Sequence, residues 1–225
     1  LAVDLDEFGK VQGLPDLSGW GDDAVQMDPA KRPELLNGGF SGQPSVVFDG
    51  LDDYLEGSSH FAASEGDFTI IAVTKQHPGN GLAATFSYSS SDDALGAPLL
   101  RWNRPLDGDL GINNVGHSTE GSFVSLGETA YDTFHLVSVT RSGGDANGEN
   151  ATLTVRALSD LQTLENTSSQ TWVSGPTDAF FLGRKKTTAS GNNDLFKGEV
   201  AEILVFDAAL SPEKLRELEQ LLGTK

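Results

Sequence analysis

Residues 48–55 read Phe48-Asp49-Gly50-Leu51-Asp52-Asp53-Tyr54-Leu55, which predicts a strand, a tight turn and a second strand, as in a hairpin. Where the chain enters this octapeptide, Val46 and Phe48 alternate with Ser45, Val47 and Asp49. This is the two-residue period of a strand with one better-buried face. Asp49-Gly50 is a strong turn dipeptide, because glycine tolerates positive φ and an aspartate side chain can bond its own backbone. Asp52 and Asp53 add two carboxylates that must be solvated, paired or bound to a cation.

The composition favours a single domain built from many short strands. The 225 residues include 26 Gly and 9 Pro, and 37% of them are hydrophobic. This content suffices for a core, and all-β domains of this length are commonly single, so one domain spanning residues 1–225 is expected. Cysteine is absent, which excludes disulfides and thiolate metal sites. The abrupt start at Leu1 indicates a domain excised from a longer protein.

The net charge argues against two classes of partner. It is −18, from 15 Lys and Arg against 33 Asp and Glu. Nucleic acids and anionic membranes both need a basic binding surface, so neither is expected as a partner. No apolar run approaches the roughly 18 residues of a membrane span. The acidic balance leaves room for cations such as Ca²⁺.

Apolar runs after the octapeptide predict a series of strands. Residues 67–75 are apolar on both faces and are expected to form a central strand, and residues 133–141 alternate strongly. Further strands are predicted at 82–88, 98–103, 122–126, 151–157, 171–173, 179–183 and 196–207. Turns are predicted at 107–109 and 113–114.

The two ends of the chain have different characters. Residues 9–45 show little periodicity, so we expect irregular surface structure there. Five apolar side chains could pin that segment to the core: Leu14, Leu17, Trp20, Val25 and Leu35. At the other end, Ser211 suits an N-cap, Pro212 suits the first helical position, and leucines follow at helical spacing up to Gly223. A short C-terminal helix is therefore predicted.

Three segments together resemble the laminin-G-like, concanavalin A-like jelly-roll domains of bacterial extracellular proteins. They read DLSGWGDDAVQ at 16–26 with Arg32-Pro33 and the octapeptide, TFHLVSVTR at 133–141, and GEVAEILVFD at 198–207. The resemblance covers nearly the whole chain. It implies an all-β fold, a two-sheet antiparallel β-sandwich with a short C-terminal α-helix, and a secreted or cell-surface location. It leaves function open, because this fold hosts lectins, adhesion modules and glycan-cleaving enzymes.

The catalytic residues of glycan-cleaving members of this fold are missing from the sequence. Hydrolases use Glu-x-Asp-x-x-Glu on one strand face, and the nearest match here, Glu65-x-Asp67-x-x-Ile70, lacks the third carboxylate. Lyases use Gln-x-His, whereas Gln76 and His77 are adjacent and point to opposite faces of a strand. We therefore expect no enzymatic activity.

A carbohydrate site needs an aromatic face for sugar C–H groups and planar polar side chains for the hydroxyls. The segment around Trp102 offers both, and arginines suit acidic sugars. The candidate ligand-binding residues are Tyr88, Arg101, Trp102, Arg104, Asn113 and His117. The alternative is that Trp102 packs inward and the arginines offset nearby aspartates.

The resemblance also implies one structural Ca²⁺ where the early turn meets the last strand, and oxygen ligands clustered on turns suit this ion. The candidate ligands are Asp49, Asp52, Asp53, Glu199 and Asp207. The alternative is that Asp49 serves only the turn, while Asp52 and Asp53 are solvated.

The sequence thus predicts a non-catalytic carbohydrate-binding or adhesion module of a larger secreted or surface protein, with a polysaccharide or other glycan as its ligand. One alternative is a structural or protein-binding spacer that contacts other domains of the parent protein. A second alternative is a polysaccharide-degrading hydrolase or lyase on the same fold.

Overall fold

The computed structural model describes residues 2–58, 67–79, 83–89, 97–103, 109–115, 123–128, 131–143, 151–158, 163–170, 179–185 and 194–223. In chain order the strands are β1 Asp4–Leu5, β2 Val11–Leu14, β3 Ala24–Val25, β4 Glu34–Phe40, β5 Gln43–Asp49, β6 Leu55–Ser58, β7 Phe68–Gln76, β8 Ala83–Ser89, β9 Ala97–Asn103, β10 Asp109–Val115, β11 Phe123–Glu128, β12 Phe134–Ser142, β13 Ala151–Leu158, β14 Thr163–Gln170, β15 Ala179–Leu182 and β16 Lys197–Phe206. A 3-10 turn, Pro29–Lys31, precedes β4, and one α-helix, α1 Pro212–Gly223, follows β16.

The strands form two antiparallel sheets. One has nine strands in the order β1-β2-β3-β6-β15-β8-β9-β10-β11, and the other has seven in the order β14-β13-β12-β7-β16-β5-β4. The apolar core between them includes Phe48 and Val46 from β5, Phe68 from β7, and Leu55 and Phe86 from the nine-stranded sheet. The expected two-sheet sandwich with one C-terminal helix is confirmed.

The octapeptide at residues 48–55 is a crossover between sheets, so the prediction of a hairpin was wrong. β5 pairs with β4 and β16 in the seven-stranded sheet, whereas β6 pairs with β3 and β15 in the nine-stranded one. Phe48 and Leu55 are both fully buried in the shared core and approach it from opposite sheets. Burying two apolar side chains from both sides of one core outweighs the local tendency of a tight turn to pair its flanking strands.

The predicted central strand is confirmed by β7, which lies between β12 and β16. Its residues alternate between two apolar clusters. Phe68, Ile70 and Ala72 belong to the core between the sheets, while Ile71 and Val73 belong to a second cluster with Leu215 and Leu222 of α1. The helix therefore covers the outer face of the seven-stranded sheet, which explains why this strand is apolar on both faces.

The C-terminal helix begins where its capping signal predicts. The Lys214 backbone N–H donates to Ser211 Oγ at 3.2 Å, and the Leu215 N–H donates to the Ser211 carbonyl at 2.9 Å. Leu215 and Leu222 are buried, as the helical spacing requires, but Leu221 is exposed. No helix in the part of the chain described above is both long and apolar enough to cross a bilayer.

A buried ion pair joins α1 to three strands, and sequence reasoning missed it. The Glu219 carboxylate, only 4% exposed, accepts hydrogen bonds from Arg156 Nη1 at 2.8 and 3.0 Å and from Ser138 Oγ at 2.9 Å. Arg156 Nε also lies 2.8 Å from Glu165 Oε2. Glu219 stands on the apolar stripe of the helix, so burial of its charge requires this arginine.

The N-terminal forty residues are more regular than predicted. β2, β3, all of β4 and the first three residues of β5 lie within the range expected to be irregular. Leu14 and Leu35 pack against the core as anchors, but Leu17 and Trp20 are 80% and 72% exposed, and Val25 is 39% exposed. The expectation of an anchor was wrong for these three. Leu17 and Trp20 lie on the loop between β2 and β3, and Val25 lies on the face of β3 opposite to the buried Ala24.

Two further strands, β10 and β14, differ from the sequence predictions. Asn113 and Asn114 lie inside β10 rather than in a turn, because β10 pairs along its whole length with β9. β14 was not predicted, because its sequence, TLENTSSQ, has almost no apolar residues. This polar sequence suits a strand at the end of its sheet, where its partner is β13. The predicted strand at 171–173 lies outside the described residues.

Replacing Glu219 with alanine is expected to lower the free energy of unfolding by about 2–4 kcal/mol. The substitution leaves Ser138 without its acceptor and Arg156 without its buried partner. Denaturant unfolding followed by circular dichroism measures the change. Glu217→Ala on the same helix is the matched control, because Glu217 is exposed and pairs only with Lys214. The control should lose no more than about 0.5 kcal/mol, and equal losses would contradict the assignment.

Candidate functional site

Three carboxylates converge in the crossover between β5 and β6. One oxygen from each of Asp49, Asp52 and Asp53 lies within 4.8 Å of the other two. Asp49 and Asp52 are exposed, while Asp53 is only 5% exposed. We refer to these three residues as the acidic turn.

Local hydrogen bonds hold the acidic turn in shape. Asp49 Oδ1 accepts from the Leu51 N–H at 2.7 Å and the Asp52 N–H at 3.3 Å, and the Asp49 N–H donates to Asp53 Oδ2 at 3.3 Å. Gly50 has φ of +77°, and a Cβ on it would lie 2.7 Å from the Cβ of Lys197 on β16. Only glycine suits this position, since both the backbone conformation and the close approach of β16 exclude a side chain.

The negative charge of the acidic turn is only partly compensated by a nearby cation. Burial, reinforced by the neighbouring Asp49 carboxylate, raises the pKa of Asp53 from 3.8 to about 6. Lys10 opposes this effect through its positive charge, but it does not cancel it. A carboxyl group with this pKa is half-protonated at about pH 6 unless a cation stabilises its ionised form.

The acidic turn fits a calcium ion by its donor set. Calcium in proteins takes six to eight oxygen ligands, mainly carboxylates, carbonyls and water. Three carboxylates, each with one oxygen within 4.8 Å of the others, supply such oxygens. Burial, and then the Asp49 charge, raises the pKa of Asp53, and a bound cation would favour its ionised form. Asp49, Asp52 and Asp53 are therefore the residues that could hold the ion.

Glu199 and Asp207 do not join the acidic turn, contrary to the sequence prediction. Asp207 follows the far end of β16, ten residues beyond Lys197, the partner of Asp49 in the sheet, which puts it about 30 Å away. Glu199 lies closer but is fully engaged by protein groups.

The buried Glu199 carboxylate is neutralised by a lysine. Lys75 Nζ lies 2.5 Å from Glu199 Oε1, and Ser45 Oγ donates to Glu199 Oε2 at 2.7 Å. β4 passes close to this pair at Gly39, where any Cβ would overlap the Ser45 side chain. The sequence shows a lysine near the end of an apolar strand, but its pairing with Glu199 follows from the register between β7 and β16, which the sequence does not give.

His77 connects the Glu199 pair to a pocket. Its Nδ1 lies 2.6 Å from Asp132 Oδ1, and its Nε2 lies 3.4 Å from Glu199 Oε1. The pocket has a volume of about 250 Å³, and its described lining includes His77, Gln76, Lys197, Gly79 and part of the acidic turn. Glu199 is held by Lys75 and the Ser45 hydroxyl is fully buried, so this group presents no accessible nucleophile paired with a base.

Of the six predicted sugar-binding residues, the structure describes the side chain of Tyr88 alone. Tyr88 is 5% exposed and packs edge-on against Phe86, with ring centroids 5.0 Å apart, so it belongs to the core and cannot stack on a sugar. Arg104 and His117 lie outside the described residues.

For Arg101, Trp102 and Asn113 the structure describes the backbone register. Trp102 is paired with Ala83, a core residue, while Arg101 is opposite Gly111 and Asn113 is opposite Leu99. Because neighbouring strand positions face opposite sides, positions 101 and 113 share one face of the sheet and position 102 lies on the core-facing side. Sugar binding at Trp102 and its inward-packing alternative both stay predictions.

Comparison with known proteins identifies a fold but no family. No protein-family model matches the chain, and no curated protein matches its sequence. Among solved structures, a SAP-like pentraxin from Limulus polyphemus is 14% identical with a TM-score of 0.53, covering 76% of this chain and 79% of that chain.

Two further structures are domains of glycan-processing enzymes. Domain 4 of an extracellular arabinanase from Geobacillus stearothermophilus, in complex with arabinotriose, is 13% identical with a TM-score of 0.55, covering 83% of this chain and 80% of that chain. The CBM40 of the IT-sialidase of Ruminococcus gnavus, bound to α2,3-sialyllactose, is 13% identical with a TM-score of 0.51, covering 77% and 95%. At these identities the likeness establishes the β-sandwich fold alone.

The metal-free protein should become more stable on acidification because of Asp53. With a pKa of about 6 in the folded state and 3.8 as its ordinary value, Asp53 binds a proton on folding between these pH values. Stability therefore falls as pH rises from about 4 to 6, by at most about 3 kcal/mol.

Asp53→Asn should remove this part of the pH dependence and raise the stability of the metal-free protein at pH 7. Urea unfolding in the presence of EGTA, from pH 4 to pH 8, measures both effects. Asp207→Asn is the control, since Asp207 is exposed and distant from the turn. An unchanged slope in Asp53→Asn would show that Asp53 carries no such proton.

Proposed function

We propose that this domain is a non-catalytic glycan-binding module of a larger secreted or cell-surface protein, with polysaccharide as its ligand. The observation that carries the proposal is the recurrence of this β-sandwich in domains that hold saccharides, namely the arabinanase domain with arabinotriose and the CBM40 with sialyllactose. Those ligands belong to the neighbours, and the sequence of this chain is only 13% identical to each of them. The proposal therefore names a class of ligand rather than a particular sugar.

The state of the buried acids supports a binding function over a catalytic one. A glycosidase needs one carboxyl group that donates a proton and a second that acts as nucleophile or base. In the described part of the chain, the carboxylates of Glu199 and Glu219 are each held by a cation, Lys75 and Arg156. The acidic turn is the remaining cluster, and its three carboxylates come from one five-residue turn rather than from two sides of a cleft that could flank a glycosidic bond.

The overall charge supports a neutral polysaccharide over an acidic one. With a formal charge of −18, the protein repels anionic chains at low ionic strength. Neutral sugars escape this repulsion and bind through hydroxyl hydrogen bonds and apolar C–H faces.

We also propose that the acidic turn holds one structural Ca²⁺, through the carboxylates of Asp49, Asp52 and Asp53. When bound, the ion would supply the positive charge that this turn lacks. Its role here is to hold the crossover between the sheets, where the three carboxylates otherwise repel one another.

Affinity gel electrophoresis with immobilised polysaccharides tests the glycan-binding function. The protein should be retarded by at least one neutral polysaccharide, such as an arabinan, xylan or β-glucan, and less by an acidic one such as alginate. Retardation should persist at 0.5 M NaCl, because binding to neutral sugars does not depend on charge. Failure to bind any glycan would contradict the proposal. Release of reducing ends or unsaturated products would instead identify the enzyme alternative.

Thermal unfolding with calcium or EGTA tests the ion. A ligand at a hundred times its dissociation constant adds about 2.7 kcal/mol of stability, which corresponds to a rise in Tm of roughly 5–10 °C for a chain of this size. The rise should shrink below pH 6, because the proton on Asp53 competes with the ion. Asp52→Asn should reduce it, while Asp207→Asn should not. An identical Tm in calcium and in EGTA would exclude a structural ion.

A further inference from the structure

A tryptophan and a leucine stand in solvent on one loop. We call residues 15–23, between β2 and β3, the Trp20 loop. Trp20 is 72% exposed and Leu17 is 80% exposed. Single exposed apolar side chains are common at protein surfaces, and Phe8, Met27 and Leu51 are equally exposed in this protein. The Trp20 loop is distinguished by carrying two such side chains on a backbone that is held in shape.

The Trp20 loop is held in shape by one carboxylate. Asp16 accepts hydrogen bonds from the backbone N–H groups of Ser18 at 2.8 Å, Gly21 at 2.9 Å and Asp22 at 3.3 Å, and from the Ser18 hydroxyl at 2.7 Å. These hydrogen bonds, that of Ser18 first, lower the pKa of Asp16 to about 2. The carboxylate is therefore ionised at any physiological pH, and its bonds do not switch off.

The neck of the Trp20 loop is closed and fixed to the sheet. The Asp16 N–H donates to Asp23 Oδ1 at 2.7 Å, which joins the two ends of the loop. The Asp23 carbonyl packs against Gly57 of β6, where a Cβ would approach that oxygen to 2.6 Å. The loop thus stands on a rigid base at the edge of the nine-stranded sheet.

Two glycines set the direction of Trp20. Gly19 and Gly21 flank it with φ of +91° and +81°, a region that L side chains rarely adopt. A Cβ on either glycine would meet no atom within 4 Å, so space does not demand glycine there. The requirement is purely one of backbone conformation, and its result is an exposed indole on a preorganised loop.

We propose that the Trp20 loop is a saccharide-binding surface, in which the indole of Trp20 stacks on the apolar face of a neutral sugar ring. This inference rests on the proposed function and gives it a location. Leu17 extends the apolar surface of the same loop, and Asp23 keeps one carboxylate oxygen outside the neck hydrogen bond that can accept a sugar hydroxyl. Preorganisation lowers the entropy cost of binding, because the backbone of the loop need not be ordered by the ligand.

The size and charge of the loop favour a sugar over a protein partner. A fully buried tryptophan covers up to about 250 Å², so Trp20 and Leu17 together present an apolar surface of only a few hundred Å². A stable protein interface needs about 800 Å² on each side, whereas one sugar ring matches the area of an indole. The aspartates of the loop repel acidic ligands, which selects neutral sugars.

Affinity gels with the neutral polysaccharide that binds the wild-type protein best are the test. Trp20→Ala should weaken binding about tenfold or more, because it removes the stacking surface, and Trp20→Phe should lie between the two. Phe8→Ala is the matched control, since Phe8 is an aromatic side chain that is 80% exposed on another turn. Urea unfolding of Trp20→Ala should match the wild type, because an exposed side chain contributes little to stability.

The outcomes separate the two proposals. If the wild-type protein binds no glycan, the proposed function fails and this inference fails with it. If the wild type binds and Trp20→Ala binds equally well, the glycan-binding function stands and the Trp20 loop is not its site. If Trp20→Ala and Phe8→Ala weaken binding equally, the effect is general hydrophobic contact, and the inference is overturned.

Asp16 provides a second test that leaves Trp20 in place. Asp16→Ala removes the acceptor of four hydrogen bonds, so the loop should become mobile and binding should weaken several-fold although the indole is still present. Heteronuclear NOE values of the amides of residues 17–22 should fall in this variant and stay high in the wild type. Rigid amides with weakened binding, or mobile amides with full binding, would contradict the positioning role of Asp16.

Discussion

The structure depends on the short connection that carries the chain from one sheet to the other. Between Asp49, the last residue of β5, and Leu55, the first of β6, five residues span the edge of the core. Phe48 enters that core from one sheet against Gly183, where any Cβ would overlap its ring, and Leu55 enters from the other. This short span fixes the two sheets relative to each other and forces three aspartates into one turn.

Charge is handled in two ways in this acidic protein. Inside the fold, each buried glutamate has its own cation: Glu199 pairs with Lys75, and Glu219 pairs with Arg156. Removing such a partner leaves an uncompensated charge in a poorly solvated place, which is why these pairs behave as fixed structural units. Asp53 is also buried but lies beside other carboxylates, and its pKa is raised by burial first and by the Asp49 charge second. The acidic turn is thus the place where an ion from solution has most to contribute.

Sequence reasoning recovered what local patterns encode and missed what distant partners decide. Apolar runs predicted β7, β8, β9, β11, β12, β13, β15 and β16, and Ser211-Pro212 predicted the start of α1. Residues 48–55 were predicted to be a hairpin, because the local sequence does not show which strands β5 and β6 will pair with. β14 escaped notice because it is polar. Of the candidate metal ligands, the three close in sequence do lie together, whereas Glu199 forms an ion pair with Lys75 on the neighbouring strand. Trp20 was expected in the core, although Asp16-x-Ser18-Gly19-x-Gly21 already carried the turn signals that hold it in solvent.

The central claim is that the β-sandwich binds a glycan through the preorganised Trp20 loop. The most direct measurement is a ¹H–¹⁵N NMR titration of the calcium-loaded protein with an oligosaccharide from the polysaccharide that it binds. The account predicts that the largest shifts fall on the Trp20 indole and the amides of residues 16–23, while residues 49–55 barely move. Shifts concentrated on residues 97–115, or no saturable shifts with any saccharide, would contradict it.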